Sequence, residues 1–278
     1  MKKPKVALFI PTYNQENYII ESLKSAYAQK YRNLIIYISD DSSTDNTFAL
    51  IENFQKKTNT RHEIILKRRE KNLGLAMNIM VTIKEISDLV DFVVCQAGDD
   101  ISEPERVEKL TELWINLGSS KYAYIHTPVE IIDTNGNSKG IWLPPINQRP
   151  IDEEHISTNP TSHGLVIGAS TAFAPSLVTQ IPFQFPNLYE DQVLTFRAMI
   201  HKTLIYWGET LVKYRFGRGV STSNEDRSSY ESRIIITTID TLKQRKVDAD
   251  FFKRKKISEK IGIEIKKWEK LAKIKNLI

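Results

Sequence analysis

Cysteine is almost absent: Cys95 is the single one in 278 residues, so no internal disulfide can form. That fits a reducing compartment. Long apolar runs are absent too, and nothing approaches the ~18 residues needed to cross a membrane. The run Val6 to Ile10 behind Met1-Lys2-Lys3-Pro4-Lys5 is too short for a secretory leader, so a cytoplasmic protein is expected. No phosphate loop of the G-x-x-x-x-G-K type occurs, nor a G-x-G-x-x-G fingerprint, which removes the glycine cradles that hold nucleotides in other α/β proteins. The five histidines lack ligand spacing, and no G-x-S-x-G turn supports Ser-His-Asp catalysis. Asn159-Pro160-Thr161 fails as a glycosylation acceptor because proline occupies its middle position.

What is present is an ordinary globular composition, 41% hydrophobic and 26% charged. The net charge of +5 is unevenly spread. From Lys243 onward, 13 Lys and Arg face five Asp and Glu, a net of +8 that leaves −3 on residues 1–242. This asymmetry points to two regions, a body over 1–224 and a basic helical extension over 225–278.

Within the body, strand-like and helix-like segments alternate. Val6–Ile10, Leu34–Ile38, Glu63–Leu66 and Asp91–Cys95 read as strands. Helical spacing follows each, over Glu16–Gln29, Thr44–Phe54 (capped from Ser42, Ser43 or Thr44), the stretch from Gly74 to Ile86, and Glu103–Leu117. That rhythm predicts a mostly parallel sheet flanked by helices. Beyond it, Tyr122–Ile132 reads as one strand, Asn135-Gly136 as a turn, residues 144–160 as a proline-rich loop and Val166–Phe173 as a short buried run. Glu190–Ile200 reads as a helix and Thr203–Tyr214 as a strand or strand pair.

Chemistry gathers where the strands end. Pro11-Thr12-Tyr13-Asn14-Gln15-Glu16 can stack on and bond a base. Asp40-Asp41-Ser42-Ser43-Thr44-Asp45 puts three carboxylates in six residues. Asn72-Leu73-Gly74 gives a turn where backbone can approach a ligand. Asp99 and Asp100 offer hard oxygen ligands of the kind that hold Mg2+ or Mn2+ on a diphosphate. All four loops belong to the carboxyl edge of the sheet, where ligands bind in such folds.

In order and spacing, Phe9 to Asn14, Ser39 to Asp45, Asn72 to Asn78 and Gly98 to Pro104 resemble the inverting family 2 nucleotide-sugar glycosyltransferases of the GT-A fold. Gly168-Ala169-Ser170, Glu190-Asp191 and Tyr214-Arg215 extend the likeness more weakly to about residue 225. The resemblance implies a Rossmann-like GT-A domain, divided into a nucleotide-sugar-binding half (1–117) and an acceptor and catalytic half (118–224). Pro11, Thr12, Tyr13, Glu16, Asn72 and Gly74 would then line the donor site, with Asp41 on the base. Asp99 would face the metal and Asp100 lie near the ribose or diphosphate. Asp191 matches the catalytic base, with Glu190 the other candidate. Ser170, His163 and Trp142 would lie on the acceptor side.

Three positions depart from the family pattern. Ala97 replaces the first carboxylate of the D-x-D motif, Met77 an arginine before Asn78, and Gly217 a histidine after Tyr214-Arg215. Arg215 and Arg218 are candidates to supply the missing positive charge at the diphosphate. The implied reaction is a single displacement from a nucleoside-diphosphate sugar, UDP favoured, to a saccharide or lipid-linked acceptor in bacterial surface polysaccharide or glycolipid synthesis. A catalytically silent nucleotide-sugar-binding scaffold is the alternative, with Ala97 its best argument. A sugar nucleotidyltransferase would open on a glycine-rich loop, which Pro11-Thr12-Tyr13-Asn14 contradicts.

In the extension, Ile257, Ile261, Ile265, Trp268, Ala272 and Lys275 form one stripe, widened by Leu271 and Ile274, with lysines opposite. Such a helix either packs on its own protein or lies on anionic lipid at the inner face of the cell membrane. The basic residues lack a recognised motif or an aromatic platform, so nucleic acid is not expected as a partner.

Overall fold

The structure is a computed structural model that describes residues 3–145, 153–158, 165–217 and 227–278. The central strand β1 (Val6–Thr12) lies parallel to β2 (Leu34–Asp40) and β4 (Phe92–Cys95), and β3 (Glu63–Arg68) pairs beyond β2. The short β9 (Ala172–Phe173) runs antiparallel between β4 and β6 (Tyr124–His126), and β10 (Leu204–Tyr206) closes that side parallel to β6. These form a seven-stranded sheet ordered β10-β6-β9-β4-β1-β2-β3.

Both faces of the sheet are covered, which is why β1, β2 and β4 are continuous apolar runs. Val6, Leu8 and Ile10 point to the layer of α1 (Ile19–Tyr27), α2 (Thr47–Lys57) and α4 (Arg106–Asn116). Ala7 and Phe9 point the opposite way, to α3 (Leu75–Ile86), α6 (Ser176–Thr179) and α7 (Glu190–Ile200).

A four-stranded sheet, β5-β11-β7-β8, stands beside the first. It comprises β5 (Ile101–Ser102), β7 (Val129–Ile132), β8 (Ser138–Trp142) and β11 (Val212–Arg215). Here the structure departs from sequence expectation. Tyr122–Ile132 is two strands in two sheets, split at Thr127-Pro128, where proline has no N–H to donate to a ladder. Thr203–Tyr214 is a pair of strands, one of the two forms expected, with β10 and β11 in different sheets. Helix α2 begins at Thr47 rather than Thr44, because Ser42 has a left-handed φ of 63° and Asp45 Oδ1 accepts the Thr47 amide at 2.9 Å. The run Val166–Phe173 turns through a 3-10 segment at Gly168–Ser170 before reaching β9. Asn135-Gly136 does form the β7–β8 turn, with Gly136 at φ 85°. The described part of the proline-rich stretch contains α5 (Glu153–Thr158).

The extension is an α-hairpin of α8 (Arg227–Phe251) and α9 (Lys255–Ile274). Ile261 and Ile265 of α9 join the main core, and Ala272 packs with Ile235 and Ile239 of α8. Most of the stripe read from the sequence is therefore covered by its own chain, while Leu271 and Ile274 stay exposed. No helix among the described residues is long and apolar enough to cross a membrane.

Candidate active site

The ends of β1 and β2 are laced together by side chains. Asn14 takes a left-handed φ of 52°, its amide donates to Ser43 Oγ at 3.0 Å, and its Oδ1 accepts the Thr44 amide at 2.8 Å. The Gln15 amide donates to Thr47 Oγ1 at 2.7 Å. Glu16 Oε2 accepts both the main-chain and side-chain amides of Asn46, at 3.0 and 2.8 Å. Asp41 is buried, and its two oxygens accept the amides of Leu73 and Gly74, each at 2.9 Å. Asn72 Oδ1 accepts the Gly74 amide as well, at 2.9 Å. Asp41 thus ties the second motif to the third, and Gly74 is held at φ 79° in a conformation suited to glycine.

At the end of β4, Asp99 and Asp100 turn in different directions. Asp100 is fully buried, and its Oδ1 accepts the Arg215 main-chain amide at 2.8 Å. The Arg215 guanidinium is also buried: it donates to Asp99 O at 3.0 Å, to Asp133 O at 2.9 Å and to Glu21 Oε2 at 2.6 Å. Its donors are thereby spent on holding this loop against β7 and α1. Asp99 Oδ1 accepts the Gln15 side-chain amide at 2.9 Å. Beside it, Gln15 Oε1 and Thr12 Oγ1 are buried without a hydrogen-bond partner. Burial pushes the Asp99 carboxyl up to about 6, and it drives Asp100 well above the usual range, with the Asp99 charge adding to the effect.

Glu190 and Asp191 occupy the first turn of α7, where the helix dipole favours negative charge. A cavity of about 70 Å³ runs from this pair to the ends of β1 and β4, lined by Pro11, Cys95, Ala97, Tyr124 and Gly168. A Cβ on Gly168 would stand 3.1 Å from Glu190 Oε1, a tight contact that the glutamate would have to shift to relieve. Burial raises both carboxyls, Asp191 to about 6 and Glu190 to about 8. The Asp191 charge adds to the rise at Glu190, whereas the Arg245 charge and the Gln192 amide draw Asp191 down. Cys95 is inert beneath them, its thiol pushed up to about 12 by burial.

Helix α8 forms the outer wall of this pair. Gln244 Oε1 accepts the Gln184 amide at 2.7 Å, Asp240 the Asn187 amide at 3.2 Å and Thr241 Oγ1 the Tyr189 amide at 2.9 Å. Arg245 donates to Gln192 O at 3.1 Å, and Asp248 binds Arg197 through both oxygens at 2.7 and 2.9 Å. These α8 residues recur every three or four positions, so one helix face grips the approach to α7 and its first two turns.

Of the remaining sequence candidates, Ser170 is buried and its hydroxyl closes its own turn on Ile167 O at 2.8 Å. Trp142 is half-buried at the end of β8, opposite Val129. His163 and Arg218 lie outside the described residues. Two residues were missed from the sequence. Gln15 sat inside a quoted motif without a role, and Arg245 had no local signal because its partners are about fifty positions away.

A Rossmann-like sheet with an acidic turn after its fourth strand, and a carboxylate pair on a later helix beside a cavity at the ends of β1 and β4, is an arrangement of nucleotide-binding α/β folds. The profile of glycosyl transferase family 2 matches residues 7–172. The chain belongs to that family, and its architecture is the GT-A fold with a C-terminal helical extension. Among relatives, the uncharacterized glycosyltransferase RC0461 of Rickettsia conorii is 29% identical over 228 residues, covering 80% of this chain. The chondroitin synthase of Escherichia coli is 31% identical over 136 residues, 48% of this chain. The chain spans only 36% and 18% of those two proteins' lengths. Two solved structures share the fold at 18% identity and a TM-score of 0.59. One is Staphylococcus aureus TarS 1–349 in complex with UDP-GlcNAc, covering 84% of this chain and 66% of that one. The other is the mannosyltransferase PcManGT of Pyrobaculum calidifontis with GDP-Man and Mn2+, covering 90% and 65%.

Among the described residues, no group of three or more His, Cys, Asp or Glu side chains gathers to hold a metal ion. The residues nonetheless fit a divalent cation shared with a diphosphate. Such ions usually take one or two protein carboxylates and leave the remaining positions to phosphate and water. Asp99 supplies a carboxylate, and the unpartnered Gln15 Oε1 and Thr12 Oγ1 are oxygen donors beside it.

Proposed function

We propose that the protein is an inverting glycosyltransferase that moves a sugar from a nucleoside-diphosphate donor to an acceptor hydroxyl. The observation that carries this reading is the buried Glu190-Asp191 pair lining a cavity at the ends of β1 and β4, the two strands whose following loops carry the first motif and Asp99. In this reading the nucleotide sits on Pro11, Thr12 and Tyr13, against loops that Asp41 and Glu16 hold in place. Asn72 and Gly74 offer backbone at the same edge. Asp99 would hold Mg2+ or Mn2+, which neutralises charge developing on the leaving diphosphate. Arg215 acts by fixing the Asp99-Asp100 turn, since its donors are occupied within the protein.

Asp191 serves as the general base. Two neighbouring carboxyls with unequal proton affinities divide roles, and the lower member is the one ionised at neutral pH. Asp191 accepts the acceptor proton as that oxygen attacks the anomeric carbon and the bond to the diphosphate oxygen breaks. Attack from the face opposite the leaving group inverts the configuration. Ser170 shapes the acceptor side through its turn, and Trp142 and His163 are carried forward as acceptor contacts. Helix α8 belongs to the catalytic unit here, so position 224 is not the edge of a working domain.

UDP-sugars are the favoured donors and a saccharide or lipid-linked acceptor of a bacterial surface polysaccharide the favoured setting, supported by the family and by the chondroitin synthase relative. Contact with the inner face of a membrane would use the outer side of α9. There Ile263 and Ile274 are 57% and 70% exposed, among Lys260, Lys266, Lys267 and Lys270.

The test is a screen of UDP-, GDP- and dTDP-sugars with Mn2+ or Mg2+, following thermal shift and nucleoside diphosphate release in wild type, Asp99→Ala and Asp191→Ala. Metal-dependent stabilisation by one donor, lost in Asp99→Ala, supports the donor site. Diphosphate release lost in Asp191→Ala while donor binding persists supports the base. Failure of every donor to bind would sink the enzyme reading in favour of a silent scaffold.

A further inference from the structure

We propose that Arg245, contributed by the helical extension, is a positioning residue for the transfer reaction that keeps the negative charge of the carboxylate pair on Asp191 rather than Glu190. The inference rests on the reading of Asp191 as base and adds a residue that neither the family motifs nor composition brings forward.

Arg245 has no exposed surface. Its guanidinium donates to the main-chain oxygen of Gln192 at 3.1 Å and to Gln192 Oε1 at 3.3 Å, on the residue that follows Asp191. A buried cation is therefore fixed at the first turn of α7. The nearest other anion on α8, Asp248, is engaged by Arg197 at 2.7 and 2.9 Å with Gln244 adding a third bond at 3.0 Å. Arg245 and Asp191 attract each other, each charge favouring the other, and Asp248 adds to the stabilisation of the Arg245 charge. Glu190 receives no such help. Burial and the Asp191 charge both favour its neutral form. One proton shared by two adjacent carboxyls settles on the member that the cation does not stabilise.

The other groups around the pair do not break this asymmetry. Tyr124 on β6 and Tyr189 before α7 stay protonated, both raised by burial. Cys95 on β4 is a neutral thiol. Arg233 and Tyr230 of α8 act on Tyr189. From α5, Glu153 and Glu154 pair with Arg254 and Lys260 of α9, and His155 lies on the same turn. On α7 itself, Arg197 is committed to Asp248.

The experiment is a carboxyl carbon NMR titration of 13C-aspartate-labelled full-length protein. Asp191 is identified as the resonance missing in Asp191→Asn, and melting curves verify folding of each variant. In wild type the resonance titrates near 6. In Arg245→Met and Arg245→Gln the midpoint rises to about 7, and in Arg245→Lys it stays near the wild-type value. The acidic limb of diphosphate release moves the same way, with donor KM unchanged. An unmoved Asp191 midpoint in a folded Arg245→Gln or Arg245→Met protein overturns the proposal and leaves Arg245 a packing residue. Should Arg245→Met fail to fold, Arg245→Gln, which keeps a donor for Gln192, decides alone. Full activity of Asp191→Asn would instead sink the assignment of the base, a result distinguishable from failure of Arg245.

Discussion

Gln15 and Asp99 meet across the mouth of the sheet: the Gln15 amide donates to Asp99 Oδ1 at 2.9 Å while its carbonyl oxygen lies 2.1 Å from where a Cβ on Gly98 would sit. Glycine at 98 therefore makes room for Gln15 beside the only D-x-D carboxylate this chain retains. Gly98→Ala is expected to eject the Gln15 side chain rather than unfold the loop, because the obstructing atom is the end of a flexible chain and Gly98 has no left-handed φ. Stability should change by less than ~1 kcal/mol. Metal-dependent donor affinity should fall about tenfold, the scale of one lost hydrogen bond to a charged group. Calorimetric donor binding with and without Mn2+ checks it. Unchanged affinity would show that Gln15 plays no part in the donor site.

How much of this was legible beforehand follows the range of the interactions. The four β-strands up to Cys95 and the helices between them are written in local periodicity, and the motifs at their ends are contiguous, so the donor half emerged from the sequence with its order intact. The second half is built from pairings that local pattern does not encode. β6 and β7 look continuous until Pro128 sends them to different sheets, and β9 has two residues. Arg215 looked like a free cation for phosphate, yet a buried arginine reveals its acceptors only when the chain has folded around it. The stripe on α9 was plain in the sequence, whereas its cover, α8, was not. The α8 ladder itself, Asp240, Thr241, Gln244, Arg245 and Asp248, is polar and reads as a solvated face until its partners on residues 184–197 are in place.

The Glu190 carboxyl sets a slope of stability on pH. Its native value, raised to about 8 from an ordinary 4.5, means the folded state retains a proton that the unfolded chain has lost. Stability from this group is complete below about 4.5 and disappears as pH rises through 8. Asp99 and Asp191, raised to about 6, act with the same sign at lower pH. Between 4 and 6.5 they are opposed by His126, lowered to about 4 by burial, which costs stability as the unfolded imidazole takes up its proton. From 6.5 to 8.5 His126 no longer opposes them, and Asp100, driven well above the usual range by burial, acts with the same sign as Glu190. There the wild-type melting temperature should fall by a few degrees, and Glu190→Gln should flatten the curve. Parallel slopes for the two proteins would mean that Glu190 does not hold its proton in the fold.

The Arg197–Asp248 pair joins α7 to α8 with no exposed surface on either side chain. Arg197 also donates to Leu177 O at 3.0 Å and lies 5.1 Å from the Phe183 ring centroid. Removing one charge leaves the other buried and unpaired, so Asp248→Asn should cost about 3–5 kcal/mol in denaturant unfolding. A well-packed pair of apolar residues avoids that penalty, so the double variant Arg197→Met with Asp248→Leu should be less destabilised than the sum of its single changes by at least ~1 kcal/mol. Asp248 also adds to the field at Arg245. With Asp248 neutralised, Arg197 is left an uncompensated buried cation on α7, and the acidic limb of activity should shift to lower pH in whatever fraction remains folded. Loss of stability without that shift would confine Arg197 and Asp248 to joining the helices. A shift in the predicted direction would show that the extension tunes the carboxylate pair through its charges as well as by packing against α7.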